Sequence, residues 1–317
     1  MNVLSLFDGM SCGQIALDQL GIKVKNYFAA EVDKYAITVA QQNFPGTIHL
    51  GDVRQIQTSG THLMDECDCG HKIDLLIGGS PCQGFSFAGK NLNFDDPRSK
   101  LFFEYARLLK ELKPKYFLLE NVRMKKESMD VISEYLGVEP IAINSNLVSA
   151  QNRHRLYWTN IPMDGLPQDK GVVLKDILED GITDRDKSHC IDANYFKGGN
   201  LKSYFEKHRR QLVFSKDGMC HVGDAGLSDK YDYVNRVYHP DGKGPSLVAS
   251  SGGHLQPKIS SDTQTYRKLT PRECERLQTV PEGYTDKGIS DTQRYKMLGN
   301  GWTVDVIKHI FNGLETV

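Results

Sequence analysis

The chain has 317 residues, and its formal net charge of -1 at pH 7 excludes an overall basic field that would attract nucleic acid or an anionic membrane. Hydrophobic residues make up 39% and charged residues 25%, as in soluble globular proteins. The length is enough for two lobes. The seven cysteines have scattered spacings, which favours a reducing cytoplasm over a disulfide framework. We expect neither a signal peptide nor a membrane span.

The first elements predict a nucleotide-binding α/β fold. Residues 3–7 predict a buried strand, followed by a glycine turn and an amphipathic helix, and residues 26–31 and 47–50 predict two more strands. An acidic residue stands at or just after the end of each predicted strand: Asp8, Glu31 and Asp52. Parallel strands would bring these carboxylates to one ligand-binding edge. Each carboxylate could instead be a helix N-cap, but their joint placement favours a shared ligand.

The charge of the first turn distinguishes between two cofactor classes. A dinucleotide would place its pyrophosphate on this turn, where Asp8 would repel it. S-adenosyl-L-methionine instead carries a sulfonium cation, a ribose that Glu31 can bind and an adenine amino group that can donate a hydrogen bond to Asp52. The sequence therefore favours S-adenosyl-L-methionine over a nicotinamide cofactor.

A single cysteine follows the next apolar run. Residues 73–77 predict a buried strand, and residues 78–86, GGSPCQGFS, then place Cys82 at its carboxyl edge. A lone cysteine is more often a small buried apolar residue, so its partners decide its role. Residues 83–98 are rich in glycine and aromatic residues and predict a mobile lid. Residues 58–72 contain Cys67 and Cys69 but predict a polar surface loop, not a zinc site.

The following elements supply partners for Cys82. A predicted strand at residues 116–119 delivers Glu120 to the same edge, and residues 151–155 form a basic cluster before a last strand at 156–159. A thiolate can add to carbon 6 of a pyrimidine and make carbon 5 nucleophilic. A protonated Glu120 would hold nitrogen 3, and an arginine would stabilise the carbonyl oxygen.

The ordered motifs resemble those of the DNA (cytosine-5)-methyltransferase family. They are Phe7-Asp8-Gly9, Glu31, Asp52, Ser80-Pro81-Cys82, Glu120-Asn121-Val122, Gln151-x-Arg153-x-Arg155 and residues 298–304. Residues 98–104 and Trp302 are most similar to the animal de novo branch. Ser11 and Cys12 depart from the commoner glycine-rich first turn.

The resemblance implies a mostly parallel, Rossmann-like sheet flanked by helices, with a smaller and irregular target-recognition lobe. It implies Cys82 as nucleophile, Glu120 as the acid on the cytosine edge, and Arg153 and Arg155 as active-site supports. The implied cofactor contacts are Phe7, Asp8, Gly9, Cys12, Glu31, Val32, Asp52, Val53, Pro81, Leu101, Asn300 and Trp302. The target base must be flipped out of the duplex, and no metal is expected.

We predict a catalytic domain at residues 1–161, a target-recognition lobe at 162–288 and a C-terminal segment at 289–317 that returns to the catalytic domain. Residues 202–216 hold five basic residues and one acidic residue. This pattern is typical of a solvated helix face and equally of a DNA-binding patch. Thr270 and Glu273 predict a capped helix start, and residues 304–311 predict a terminal amphipathic helix.

The predicted function is methylation of cytosine carbon 5 in double-stranded DNA by a monomeric, cytoplasmic enzyme of a bacterium or phage, without a membrane partner. Two alternatives remain open. One is a transfer RNA methyltransferase of the same family, against which the long middle region argues. The other is an inactive DNA-binding paralogue, against which Cys82 and Glu120 argue. The sequence does not distinguish restriction-modification from phage protection or regulation.

Overall fold

A central sheet organises the chain in the computed structural model, which describes residues 1–64, 69–80, 99–214, 221–224, 236–238, 258–259 and 266–315. The strands are β1 (Asn2–Leu6), β2 (Asn26–Ala30), β3 (Ile48–His49), β4 (Thr58–Ser59), β5 (His62–Met64), β6 (Gly70–Lys72), β7 (Leu75–Gly78), β8 (Tyr116–Val122), β9 (Ile141–Asn144), β10 (His154–Thr159), β11 (Leu212–Phe214), β12 (His221–Asp224), β13 (Arg236–Tyr238), β14 (Lys258–Ile259) and β15 (Tyr266–Lys268). The α-helices are α1 (Cys12–Gln19), α2 (Lys34–Asn43), α3 (Ser99–Leu112), α4 (Lys126–Leu136), α5 (Leu174–Ile177), α6 (Leu201–Lys207), α7 (Pro271–Leu277), α8 (Asp291–Asn300) and α9 (Val304–Phe311).

The central sheet has seven strands in the order β3-β2-β1-β7-β8-β10-β9. The strands from β3 to β8 are parallel, and β10 pairs antiparallel with both β8 and β9. The predicted Rossmann-like, mostly parallel sheet is therefore confirmed. Because β1, β2, β7 and β8 run the same way, their carboxyl ends meet at one edge, where ligands collect in such sheets.

Two apolar layers cover the sheet, because alternate side chains of each strand point to opposite faces. Val3 and Leu75 pack with Ile307 of α9 and the apolar side of α1. Leu4 and Leu76 pack with Phe102 of α3 on the other face, together with α4. Burial on both faces explains why these strands are continuous apolar runs in the sequence.

The predicted start of the helix at residue 271 is confirmed in detail. The Thr270 hydroxyl accepts a hydrogen bond from the Glu273 backbone N–H at 3.1 Å, and the Glu273 carboxylate accepts one from the Thr270 N–H at 2.8 Å. This reciprocal pair satisfies two donors that a helix start leaves free.

The loop prediction for residues 58–72 is wrong where the structure describes that segment. Strands β4, β5 and β6 form a small antiparallel sheet. It is anchored by the fully buried Leu63 and by a 2.7 Å hydrogen bond from the Thr58 hydroxyl to Glu111 of α3. Cys67 and the predicted lid up to residue 98 lie outside the described residues.

Residues 162–288, the predicted recognition lobe, have small elements of their own where the structure describes them. Strands β11 and β15 pair antiparallel, and Tyr204, Leu212 and Phe214 form a separate apolar cluster. However, Leu174 and Leu269 belong to the same apolar cluster as the central sheet. The proposed domain boundaries stay a prediction. None of the described helices is long and apolar enough to cross a membrane.

Candidate active site

A cavity of about 800 Å³ opens at the carboxyl edge of the sheet. Every sequence-predicted site residue that the structure describes lines it: Phe7, Asp8, Gly9, Cys12, Glu31, Val32, Asp52, Val53, Leu101, Glu120, Arg153, Arg155, Asn300 and Trp302. The other two predicted site residues, Pro81 and Cys82, lie outside the described residues. The strand order thus brings together residues that are up to 295 positions apart in the chain.

Asp8 gives the first turn an unusual carboxyl group. Tyr27 donates a hydrogen bond to it at 2.8 Å, and the Ser11 hydroxyl donates another. Burial raises the pKa of Asp8 to about 6, although hydrogen bonds from Ser11, Ser5 and Tyr27 act in the opposite direction. The neighbouring Glu31 carboxylate acts in the same direction as burial. Two acids this close, both partly buried, favour a ligand that brings a positive charge.

Glu31 is held by the backbone around it. Its Oε2 accepts a hydrogen bond from Gly9 N–H at 2.8 Å, and its Oε1 accepts from Val32 and Asp33 N–H at 2.7 and 2.8 Å. Gly9 has a φ of 58°, a left-handed conformation that costs glycine little. Each carboxylate oxygen has two lone pairs, so Oε2 keeps one that can accept a ligand hydroxyl.

Asp52 lies at the exposed side of the cavity. Its side chain accepts a hydrogen bond from the Arg54 backbone N–H and forms an ion pair with the Arg54 guanidinium. These two contacts, with the side-chain bond the larger, lower the pKa of Asp52 to about 2. Asp52 is therefore an acceptor across the whole neutral range, as an adenine amino group requires.

Glu120, at the end of β8, is buried and is held at both oxygens. The Nε of Arg155 lies 2.8 Å from Oε1, and the indole Nε1 of Trp302 donates to Oε2 at 3.2 Å. Burial, the largest single effect, lowers the pKa of Arg155, but Glu120 together with Cys190 and Tyr157 outweighs it and the pKa is raised. The carboxylate and the guanidinium thus stabilise each other in a site largely shielded from water.

Asn121, the next residue, ties the ends of two strands together. Its Nδ2 donates to the backbone oxygen and the hydroxyl of Ser80, at 3.4 and 3.3 Å. Ser80 is buried and precedes Cys82 by two residues. The β8 strand that presents Glu120 therefore also anchors the segment leading to the predicted nucleophile.

Arg153 has a different set of partners. Its NH1 donates to the backbone oxygen of Ile191 at 3.0 Å and lies 3.3 Å from the Cys190 sulfur. Its NH2 donates to the backbone oxygens of Gly299 and Gly301, at 3.1 and 2.8 Å. Arg153 therefore ties two loops of the cavity wall together, while Arg155 contacts the Glu120 side chain.

Residues 190–193 form a part of the cavity wall that sequence reasoning missed. The backbone of Asp192 packs so closely on Gly299 that a Cβ there would lie 2.2 Å from its carbonyl carbon. The Asp192 side chain pairs with Arg209 at 2.9 Å. Arg209 belongs to the predicted basic stretch, and so does Arg210, which donates to the Gly198 backbone oxygen at 2.9 Å. No local motif distinguishes residues 190–193 in the sequence.

Lys296 was also missed. It lines the cavity from α8, and its Nζ lies 2.6 Å from the carboxylate of Asp33, the N-cap of α2. The pair joins the helix that ends at Asn300 to the loop after Glu31. Its spacing of 263 positions leaves no sequence signal. Within the part of the chain that the structure describes, no three side chains of His, Cys, Asp or Glu group together as metal ligands.

The sheet order and the acidic cavity define the class of the protein. A mostly parallel sheet with acids after β1, β2 and β3 is the arrangement of Rossmann-like methyltransferases that use S-adenosyl-L-methionine. The residues present fit this cofactor, because Asp8 is a partly buried carboxyl that accepts from the Ser11 and Tyr27 hydroxyls and Glu31 keeps a free lone pair on Oε2.

Comparison with known proteins gives the family. The family model for C-5 cytosine-specific DNA methylases matches residues 1–316. The chain is 32% identical to type II methyltransferase M1.ScrFI of Lactococcus lactis subsp. cremoris, over 97% of this chain and 76% of that protein. It is 34% identical to orphan methyltransferase M.SPRI of Bacillus phage SPR, over 99% and 97%. The solved structure of the Entamoeba histolytica methyltransferase EhMeth shares the fold, with a TM-score of 0.67, 17% identity and 99% of both chains covered.

The chain belongs to the C-5 cytosine-specific DNA methylase family. It is a DNA (cytosine-5)-methyltransferase whose cofactor is S-adenosyl-L-methionine. The family resemblance drawn from the ordered motifs is thereby confirmed, while the likeness to the animal de novo branch stays a prediction.

Proposed function

We propose that the chain methylates a flipped-out cytosine through a covalent adduct on Cys82. The observation that carries this proposal is the buried Glu120 carboxylate, which Arg155 holds beside the segment leading to Cys82. The Cys82 thiolate adds to carbon 6 while the proton of Glu120 goes to nitrogen 3 of the ring. The double bond between carbons 5 and 6 shifts to carbons 4 and 5, and the resulting enamine makes carbon 5 nucleophilic. After carbon 5 is methylated, it loses its proton and the C–S bond breaks.

The remaining cavity residues are proposed to bind the cofactor. S-adenosyl-L-methionine supplies a methyl group on a positively charged sulfur. Asp8 faces that charge, Glu31 accepts from the ribose and Asp52 accepts from the adenine. Arg155 keeps Glu120 oriented, and Arg153 holds the wall that contains Asn300. The other proposed contacts are Phe7, Gly9, Cys12, Val32, Val53, Pro81, Leu101 and Trp302.

The proposed substrate is double-stranded DNA, read by residues of the lobe at 162–288. Relatives that are named type II methyltransferases support a role in restriction-modification, and the phage relative named an orphan methyltransferase supports protection of phage DNA. Both settings support the proposal that the protein acts in the cytoplasm of a bacterium or an infected cell. One copy of the chain supplies every proposed site residue, so we propose that it acts as a monomer.

A mechanism-based duplex tests the chemistry. Fluorine at carbon 5 of cytosine cannot leave as a proton does, so a 5-fluorocytosine duplex should trap a complex that survives denaturing electrophoresis. Cys82→Ala should abolish this adduct, while Cys82→Ser should lose methyl transfer and still bind cofactor in calorimetry. Glu120→Gln should fold and lose most turnover. An adduct that forms equally well in Cys82→Ala would refute the role of Cys82.

The nucleic-acid substrate needs its own test. Wild-type protein is incubated with methyl-labelled cofactor and either duplex DNA or transfer RNA, and label should enter the DNA. Label in RNA alone would overturn the proposed substrate. Bisulfite sequencing of DNA from expressing cells then gives the target sequence.

A further inference from the structure

Trp302 contacts Glu120 directly. The indole Nε1 donates to Oε2 of the carboxylate at 3.2 Å, while Arg155 occupies Oε1 at 2.8 Å. We propose that Trp302 is a positioning residue for Glu120, in addition to any contact it makes with the cofactor. This inference rests on the proposed role of Glu120 at nitrogen 3 of the cytosine.

The two partners are unequal, which assigns different roles to the two oxygens. Both bonds end on a carboxylate oxygen, but the guanidinium donor is itself charged and lies at 2.8 Å, whereas the indole donor is neutral and lies at 3.2 Å. A proton on Oε1 would weaken the stronger contact, with Arg155. A proton on Oε2 leaves Oε1 free to accept from Arg155 and weakens only the contact with the neutral indole. Oε2 is therefore the oxygen that carries the proton to the base, and Trp302 fixes its direction.

Gly79 gives an independent sign of close fitting at this point. A Cβ on Gly79 would lie 3.0 Å from Trp302 Nε1 and 3.1 Å from Glu120 Oε2. Any larger side chain would therefore press on both partners of the hydrogen bond. Gly79 follows β7 and precedes Cys82 by three residues. Oε2 thus lies on the side of Glu120 that faces the end of β7.

A fixed backbone supports the indole. Arg153 donates to the backbone oxygen of Gly301, the residue before Trp302, at 2.8 Å. The ring itself passes close to Gly13, where an added Cβ would lie 3.6 Å from its Cζ3. Trp302 is therefore held from two sides, and its N–H points to Glu120 in one fixed direction. A fixed indole is what the positioning of Glu120 as a proton donor requires.

Tritium exchange separates this role from cofactor binding. When Cys82 adds to carbon 6, carbon 5 can take a proton from water instead of a methyl group. Loss of tritium from carbon 5 and breakage of the C–S bond then release tritium into water. DNA with [5-³H]cytosine and saturating S-adenosyl-L-homocysteine therefore reports the Glu120 step without methyl transfer. Trp302→Phe keeps an aromatic ring but lacks the donor, and we expect exchange and kcat to fall about tenfold.

The chain provides a matched control, because Trp158 is its other tryptophan. The Nε1 of Trp158 donates to Ser133 at 3.0 Å in the core, away from the cavity. Trp158→Phe also loses an indole hydrogen bond, and its exchange rate should stay within about twofold of wild type. Gly79→Ala should reproduce the Trp302→Phe defect, because its methyl group presses on the same bond.

Three results are decisive. Slow release of tritium by Trp302→Phe at saturating S-adenosyl-L-homocysteine, with normal affinity for DNA, supports the inference. Normal exchange and a raised KM for cofactor alone would overturn it, since Trp302 would then be a cofactor contact only. Absence of exchange and of the 5-fluorocytosine adduct in wild-type protein would instead refute the proposed function itself.

Discussion

Arg153→Lys tests whether Arg153 holds the cavity wall together. The guanidinium makes three hydrogen bonds to buried backbone oxygens, of Ile191, Gly299 and Gly301. A lysine ammonium is a single point and keeps about one of them. Bonds from a charged donor contribute about 1.5–3 kcal/mol each, so the loss of two lowers the free energy of unfolding by about 4 kcal/mol. With an unfolding entropy of about 2.1 cal/mol/K per residue, Tm falls by about 6 °C.

The cofactor should report the same change. The Gly299 and Gly301 carbonyls flank Asn300, so the loss of their bonds leaves this segment less ordered in the variant. Cofactor binding must then supply the free energy that fixes the segment in place. Fixing one residue costs about 1–2 kcal/mol, which raises the Kd about tenfold. Calorimetric unfolding and titration with S-adenosyl-L-homocysteine measure both effects. Arg155→Lys is the matched control. Compared with Arg153→Lys, its turnover should fall more and its Tm should fall less. An Arg153→Lys variant with wild-type Tm and Kd but little turnover would show that Arg153 acts in the chemistry instead.

Two further predictions concern the same cavity. The pKa of Asp8, raised to about 6 by burial, predicts that binding of S-adenosyl-L-methionine weakens as pH falls through 6, because the protonated carboxyl no longer attracts the sulfonium. Calorimetry from pH 5 to 8 should show that affinity depends less on pH for S-adenosyl-L-homocysteine, whose sulfur is uncharged. An equal pH dependence for the two compounds would contradict the role of Asp8. Gly299→Ala places a methyl group 2.2 Å from the Asp192 carbonyl carbon and should cost about 1–3 kcal/mol or more in urea unfolding. Gly46→Ala, which has open space and no left-handed φ, should be nearly neutral, and a neutral Gly299→Ala would refute the close packing.

The sequence predicted the sheet well, for a physical reason. Strands buried on both faces are nearly continuous apolar runs, as at residues 3–6 and 75–77, and their positions along the chain can be inferred from local signals. Once the strands are parallel, the residues after them must share one edge. Asp8, Glu31 and Glu120 therefore line one cavity although no local signal joins them.

What the sequence did not predict depends on partners chosen across the fold. Arg153 and Arg155 are indistinguishable as a sequence motif, yet one binds backbone oxygens and the other binds Glu120. The wall at residues 190–193 is part of the site because Arg153 and Gly299 hold it there. Such contacts join segments far apart in the chain, and composition or periodicity carries no record of them.

The packing of α9 on α1 has a consequence for synthesis of the protein. Helix α1 ends at Gln19, but the Ile307 and Phe311 side chains that share its apolar cluster emerge from the ribosome almost 290 residues later. At about 5–20 residues per second, α1 waits on the order of 15–60 s for its cover. Trp302 and Asn300 arrive equally late. The nascent chain therefore exposes an apolar face that chaperones can bind, and it acquires its cofactor pocket only when nearly all of its described residues have been made.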